Sequence, residues 1–316
     1  MSSGSARVPW RRVDGVLLLD KPPGVSSNAA LQAARRLYRA RKAGHSGTLD
    51  PLATGLLPCL FGEATKFGAE LLDAEKTYEA TVALGVTTTT GDAEGEVVER
   101  RPVAVGAADV ERVLARFRGR ISQVPPAYSA LKHAGRPLYK YARAGRPVDA
   151  LPRSVTIHEL ALRRFGGDSL DVTVRCSKGT YVRTLAEDVG RELGCGAHVA
   201  GLRRTAVGRF SIADAVGLPA LEALAPDARD AHLLPLDALV GHLPAVAVAD
   251  PEAARFRCGQ TVAAPTLAAA GRFRVYHADG AFIGIGEIGS GALRPHRLVR
   301  QDAASPEAVR TAAQTL

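Results

Sequence analysis

The sequence predicts an α+β protein built in two unequal parts, a large unit of strands and helices followed by a small all-β tail. Three observations carry this. At 316 residues the chain exceeds one typical domain and can bury a sizeable core. Short apolar or alternating runs interleave with amphipathic helical stretches as far as Phe210. Near the C-terminus, Arg272 to Tyr276 and Ala281 to Ile288 alternate around Ala-Asp-Gly at 278–280, a hairpin signal.

Taken in order, DGVLLLD from Asp14 to Asp20 reads as a buried strand ended by the KPPG turn at Lys21–Gly24. Ser26 or Ser27 can cap a helix whose apolar stripe is Leu31, Ala34, Leu37 and Tyr38, with Arg35, Arg36, Arg39, Arg41 and Lys42 along or beyond its other flank. Lys76 to Leu84 alternates as a strand with Tyr78, Ala80, Val82 and Leu84 on one face, and a Thr-rich loop then carries Asp92 and Glu94. A capped helix is expected from Asp109 to Phe117, and a basic stretch with two tyrosines, of the kind that suits nucleic acid, from Arg136 to Arg146. Strands follow at Val155–Leu162 and Leu170–Cys176, a helix at Thr180–Leu193, and a basic strand at Val199–Phe210 containing Leu202, Arg203 and Arg204. The Ala-, Leu- and Pro-rich segment from Leu218 to Pro244 joins this unit to the tail.

Composition excludes several classes. No apolar run reaches the roughly 18 residues of a membrane helix, and MSSGSARVPWRR lacks the apolar core of a secretion signal, so a cytoplasmic protein is expected. The four cysteines form no CxxC pair and read as reduced, buried thiols; Cys195 and His198 alone make a weak metal site. A formal charge of +9 and a pI of about 9.7 favour an anionic partner. Gly284, Gly286 and Gly289 spell GxGxxG, but the 27 residues after them cannot supply a dinucleotide-binding βαβ unit.

The chemistry points to GHSGTLDPLATGLLP, from Gly44 to Pro58. Its one carboxylate, Asp50, precedes a proline that holds it extended or in a turn, among glycines that allow close approach and leucines that exclude water. A buried carboxylate needs a cation, although an aspartate before proline can equally be a turn cap. His45 lies nearby, Tyr78 and Tyr181 occupy strand or strand-to-helix positions, and Arg183 follows Tyr181 by two. An ionised Asp beside an Arg is a nucleophile or base, and tyrosines can stack a flat ring.

KPPGVSS at 21–27, GHSGTLDPLATGLLP at 44–58, KTY at 76–78, SKGTYVRTLAEDVG at 177–190 and CGAHVAGLRR at 195–204 together resemble the TruB family, the bacterial tRNA pseudouridine(55) synthases. The resemblance implies isomerisation of one uridine in the T arm of tRNA, with no cofactor and no metal. It places the catalytic aspartate on Asp50, a substrate-contacting histidine on His45, the base-stacking tyrosine on Tyr78, the KGTYxR pair on Tyr181 and Arg183, a nucleotide-contacting leucine on Leu202, and an acid that pairs with the arginine on Asp92. Lys21 is a further supporting residue. Ser46 departs from the commoner Thr but keeps the hydroxyl. The implied fold is a mixed, mainly antiparallel pseudouridine-synthase sheet flanked by helices over residues 1–243, with a PUA-like RNA-binding β domain over 246–316. The expected partner is tRNA, with no protein partner indicated and a monomer by default. A non-catalytic tRNA-folding chaperone and a related synthase acting on another RNA remain as alternatives.

Overall fold

A computed structural model describes residues 9–129, 131–146, 148, 150–265 and 269–300. The apolar run after Asp14 forms β1 (Gly15–Lys21), nearly all of it buried, as a continuous hydrophobic strand should be. It pairs antiparallel with β3 (Thr54–Phe61), which also carries the short β2 (Ala43–His45). The sheet continues through β4 (Lys76–Leu84), β5 (Gly119–Gln123), β6 (Arg153–Phe165), β7 (Ser169–Cys176) and β8 (Ala197–Val207) in the order β1-β3-β8-β4-β7-β6-β5. Along this path every pair is antiparallel except β3 with β8, where Thr54 and Gly55 lie beside Arg203 and Arg204. Beyond β1, Val216–Gly217 adds a second parallel pairing. The sheet is therefore mixed and mainly antiparallel, as the motifs implied.

Helix α1 (Ser27–Tyr38) is capped by the Ser26 hydroxyl, which accepts from the Ala29 amide at 3.1 Å. Helix α2 (Ala107–Arg116) begins earlier than the expected Asp109: Gly106 is the cap, and Asp109 reaches back to accept from its amide at 3.1 Å. The basic stretch contains the short α3 (Leu138–Arg143). Helix α4 (Val182–Glu192) starts two residues after the expected Thr180, with Tyr181 at its cap. The basic strand likewise stops at Val207, because the chain turns and Phe210 pairs back on Val207.

Two helical layers cover the sheet. Val110, Leu114, Leu185 and Val189 of α2 and α4 meet Val82, Leu160 and Val174. Leu31, Ala34 and Tyr38 of α1 meet Leu17, Leu19, Leu57 and Phe61. Tyr78 and Leu202 are half-buried and pack partly against both clusters, so the gap between the layers opens over them.

The tail is a five-stranded sheet ordered β9 (Ala245–Val248), β11 (Gly271–His277), β12 (Phe282–Gly289), β13 (Ala292–Leu298) and β10 (Val262–Ala263). The expected hairpin is β11–β12; its GxGxxG spacing lies within strand β12. Residues 301–316 of the expected tail domain fall outside the described residues. The segment 218–244 is more than a tether, since Leu221, Leu239 and Val240 are buried in the main body. Cys59, Cys176 and Cys195 are buried as expected, whereas Cys258 is exposed because it follows a short surface helix in the tail.

Candidate active site

The loop bearing Asp50 is held from both sides. Pro51 occupies the second position of a turn closed by the Ala53 amide donating to the Asp50 carbonyl at 3.1 Å. The Ser27 hydroxyl donates to the Leu49 carbonyl at 2.8 Å and accepts from the Leu49 amide at 2.7 Å. Lys21 is fully buried, and its Nζ donates to the carbonyls of Pro22, Val25 and Pro51 at 2.9, 2.7 and 3.2 Å. Burial lowers the pKa of this ammonium to about 8. Lys21 thus supports the aspartate loop without lining the cleft in front of it.

The cation comes from the first turn of α4. Arg183, 6% exposed at its side chain, puts Nη2 2.9 Å from Asp50 Oδ2 and Nη1 3.5 Å from Asp92 Oδ2. It also donates to the Thr90 and Tyr128 carbonyls at 2.9 and 2.8 Å, which fixes the guanidinium plane. Asp92 is itself held by the Thr90 hydroxyl at 2.5 Å and the Glu94 amide at 3.1 Å. Asp50 is less enclosed than its leucine-rich setting suggested: 39% of its side chain remains exposed, because Leu56 and Leu57 turn into the cores beneath it. Partial burial still raises the Asp50 carboxyl above its ordinary pKa, with Arg183 opposing and the like charge of Asp92 assisting. Arg183 therefore orients Asp50 and offsets its desolvation without reversing the direction of the shift.

In front of Asp50 lies a cleft of about 300 Å³ whose walls include Tyr78, Tyr181, Arg183, Leu202 and the largely exposed Leu72. The backbone of Tyr181 is clamped by the Gln123 amide, which accepts from its N–H at 3.1 Å and donates to its carbonyl at 3.3 Å. Five of the expected residues are thus gathered around one cavity, and Lys21 and Asp92 stand behind it. His45 is set apart on β2; burial and then the charge of Arg204 push its pKa down, and its buried Nδ1 has no hydrogen-bond partner.

Four contributors were given no role at the site from sequence: Ser27, Gln123, Lys76 and Arg204. Lys76 lines the cleft while its Nζ donates to the Leu71, Leu72 and Ala74 carbonyls at 3.2, 2.8 and 2.6 Å. Arg204 lies beneath the site, 1% exposed, and donates to the Leu56 and Gly47 carbonyls at 2.8 and 2.9 Å. Strand alternation was the available signal, since Lys76 shares a face with Tyr78 and Arg204 with Leu202. The motif glycines answer to Arg204 as well. Gly55 has φ +97°, and a Cβ there would lie 2.3 Å from the Arg204 carbonyl oxygen.

An oriented carboxylate open to a cleft with aromatic and apolar walls suits attack on a flat, ring-bearing substrate. The chain matches three family models in succession: TruB family pseudouridylate synthase (N terminal domain) over residues 35–182, tRNA pseudouridylate synthase B C-terminal domain over 183–241, and pseudouridine synthase II TruB, C-terminal, over 244–299. A relative from Azoarcus sp. (strain BH72), tRNA pseudouridine synthase B, is 57% identical over 293 residues, 93% of this chain and 97% of its own length. The chain belongs to the TruB family. It is a tRNA pseudouridine synthase, an isomerase. The tRNA pseudouridine synthase B of Burkholderia mallei (strain ATCC 23344) is 56% identical over 299 residues, 93% of this chain and 96% of that relative. Among solved structures, a Cbf5-Nop10-Gar1 complex contains a chain 26% identical with a TM-score of 0.66, covering 86% of this chain and 78% of its own. An H/ACA RNP bound to a substrate RNA containing 2'-deoxyuridine shares the fold at 23% identity and a TM-score of 0.68, with 91% and 85% covered.

Proposed function

We propose that this enzyme isomerises uridine 55 in the T arm of tRNA, with Asp50 as the nucleophile. The observation that carries the reading is the Asp50–Arg183 ion pair, 2.9 Å long, exposed on one side to a cleft walled by Tyr78, Tyr181 and Leu202. A uridine in a stacked loop cannot present its ring or sugar to Asp50, so the nucleotide must first swing out, and an aromatic wall offsets its lost stacking. Tyr78 then stacks the base, Tyr181 and Leu202 bound its edges, and Arg183 aims the carboxylate while Asp92 holds Arg183. The N-glycosidic bond breaks and the base rejoins its sugar through C5, an internal exchange that consumes no second substrate. His45, outside the cleft wall, would contact the RNA beside the vacated position. Residues 1–243 form the catalytic unit and 246–316 a PUA-like RNA-binding part, in a cytoplasmic monomer. The net charge of +9 supports attraction to the phosphate backbone.

The test is Asp50→Asn, assayed by tritium release from C5-labelled uridine in a tRNA transcript. Release is expected to vanish while tRNA binding stays near wild type; full turnover would refute Asp50 as nucleophile. Mapping pseudouridine in RNA from a strain lacking the protein checks the target, and loss of the modification anywhere but the T arm would overturn the assignment to uridine 55.

A further inference from the structure

Arg204 is the anomaly of the interior. It heads the fully buried side chains by size, yet among the described residues no carboxylate lies within ion-pair distance of it. A buried guanidinium without a counter-charge is costly, and only its hydrogen bonds offset that cost. Its donors lead to the site. Nη2 reaches the Gly47 carbonyl, three residues before Asp50, and Nε reaches the Leu56 carbonyl on β3. Across the sheet Arg204 is registered directly against Tyr78 on β4 and Gly55 on β3. The β8 ladder is interrupted on both sides of Leu202–Arg204, between Val199 and Gly201 and between Arg204 and Ala206, and irregularities of this kind re-aim side chains beside active sites.

We propose that Arg204 is a positioning residue for the isomerisation: a guanidinium brace that holds the Asp50 loop in one geometry relative to Tyr78, its register partner on the neighbouring strand. Burial drives the Tyr78 phenol upward in pKa, and the nearby Arg204 charge draws it back down. Cys176 at the end of β7 and Asp50 in the loop face the same phenol and push it upward. Lys76, Arg183 and Tyr181 complete the titratable and charged groups in the cleft wall. A lysine cannot reproduce the brace, because a single ammonium does not present the planar fork that reaches the Gly47 and Leu56 carbonyls at once beside Tyr78.

The inference rests on Asp50 and Tyr78 acting as proposed above. Full turnover by Asp50→Asn would remove that basis, whereas full turnover by Arg204→Lys with Asp50→Asn inactive overturns this inference alone. The experiment is single-turnover and steady-state assay of Arg204→Lys and Arg204→Met on tRNA transcript, each also made in a Tyr78→Phe background. For Arg204→Lys, kcat should fall about a hundredfold with KM within about threefold of wild type. The loss should shrink sharply once Tyr78 is already Phe. Ultraviolet titration, read as the difference between each Arg204 variant and its Tyr78→Phe partner, should show the Tyr78 phenol ionising at higher pH in Arg204→Met than in wild type. Wild-type kcat in Arg204→Lys, or losses that multiply independently of Tyr78, would overturn the proposal. If neither Arg204 variant folds, Gly47→Ala decides through the Tyr78 titration: its Cβ would lie 3.3 Å from Arg204 Nη1 and nudge the guanidinium, while its φ of +78° strains the Asp50 loop as well, so a fall in kcat counts only together with that titration. A fall in kcat together with a shifted Tyr78 titration supports the brace, and unchanged kcat refutes it.

Discussion

Asp50 shows how a side chain singled out by sequence can be misjudged in its surroundings. The Asp-Pro pair and the glycines marked it, and the need for a cation was met by Arg183. Sequence could not reveal that Leu56 and Leu57 would point into the cores below and leave the carboxylate partly open, because which way a strand residue faces depends on register with a strand far along the chain. The chemistry follows from this setting. Burial raises the Asp50 carboxyl above its ordinary pKa, so the ionised form that the proposed attack requires is lost as pH falls through a point higher than that of a free aspartate. Asp92 contributes to that rise through like charge, and its removal leaves Arg183 closer to Asp50 in effect. Asp92→Asn should therefore move the acid limb of the single-turnover rate to lower pH, whatever it does to the maximum rate. An unmoved limb would mean that another group governs the limb.

Among the elements, those defined by local pattern were legible. Strand β4 runs from Lys76 to Leu84, as alternation predicts, and the Ser26 cap begins α1 where a hydroxyl precedes an apolar stripe. Elements whose ends depend on a partner were not. Asp109 looked like a cap and proved to be the third helical residue reaching back to Gly106; β13 was missed because Pro295 and three basic residues hide its strand character. The central parallel pair β3–β8 was likewise invisible to local pattern. Its close approach makes Gly55 the least replaceable position in the aspartate motif, since Ala there meets both an unfavourable φ and the Arg204 backbone. Gly55→Ala should destabilise the fold by about 3 kcal/mol, read as a lowered midpoint in urea. An unchanged midpoint would show that β8 can yield at that point.

At the scale of the molecule, the tail is docked rather than tethered. Ile285 of β12 joins Val16, Leu18 and Phe67 in one cluster, the Phe282 ring lies 5.6 Å from Phe67, and Arg272 pairs with Glu70 at 2.6 Å. None of these contacts has a signature in spacing, because each joins residues about two hundred positions apart or more. Ile285→Ala should cost about 3 kcal/mol and separate the melting of the tail from that of the body. A single transition at the wild-type midpoint would mean that the tail contributes little to the common fold. Arginines in and just after α1 and within the basic stretch are engaged inside the protein: Arg35 by the Trp10 ring and the Ala40 and Arg41 carbonyls, Arg41 by the Trp10 carbonyl, and Arg143 over the Tyr139 ring at 5.6 Å.

The β3–β8 pairing also imposes an order in time. The Asp50 loop emerges early in synthesis, but the strand edge at Thr54–Gly55 stays unpaired until Arg203 and Arg204 have been made, and Arg183 comes scarcely sooner. A chain released before that point carries Asp50 without its partner and with an open edge, the condition in which strands recruit the wrong neighbour. Competence and protection from misassembly therefore arrive together, at the closing of one short parallel seam.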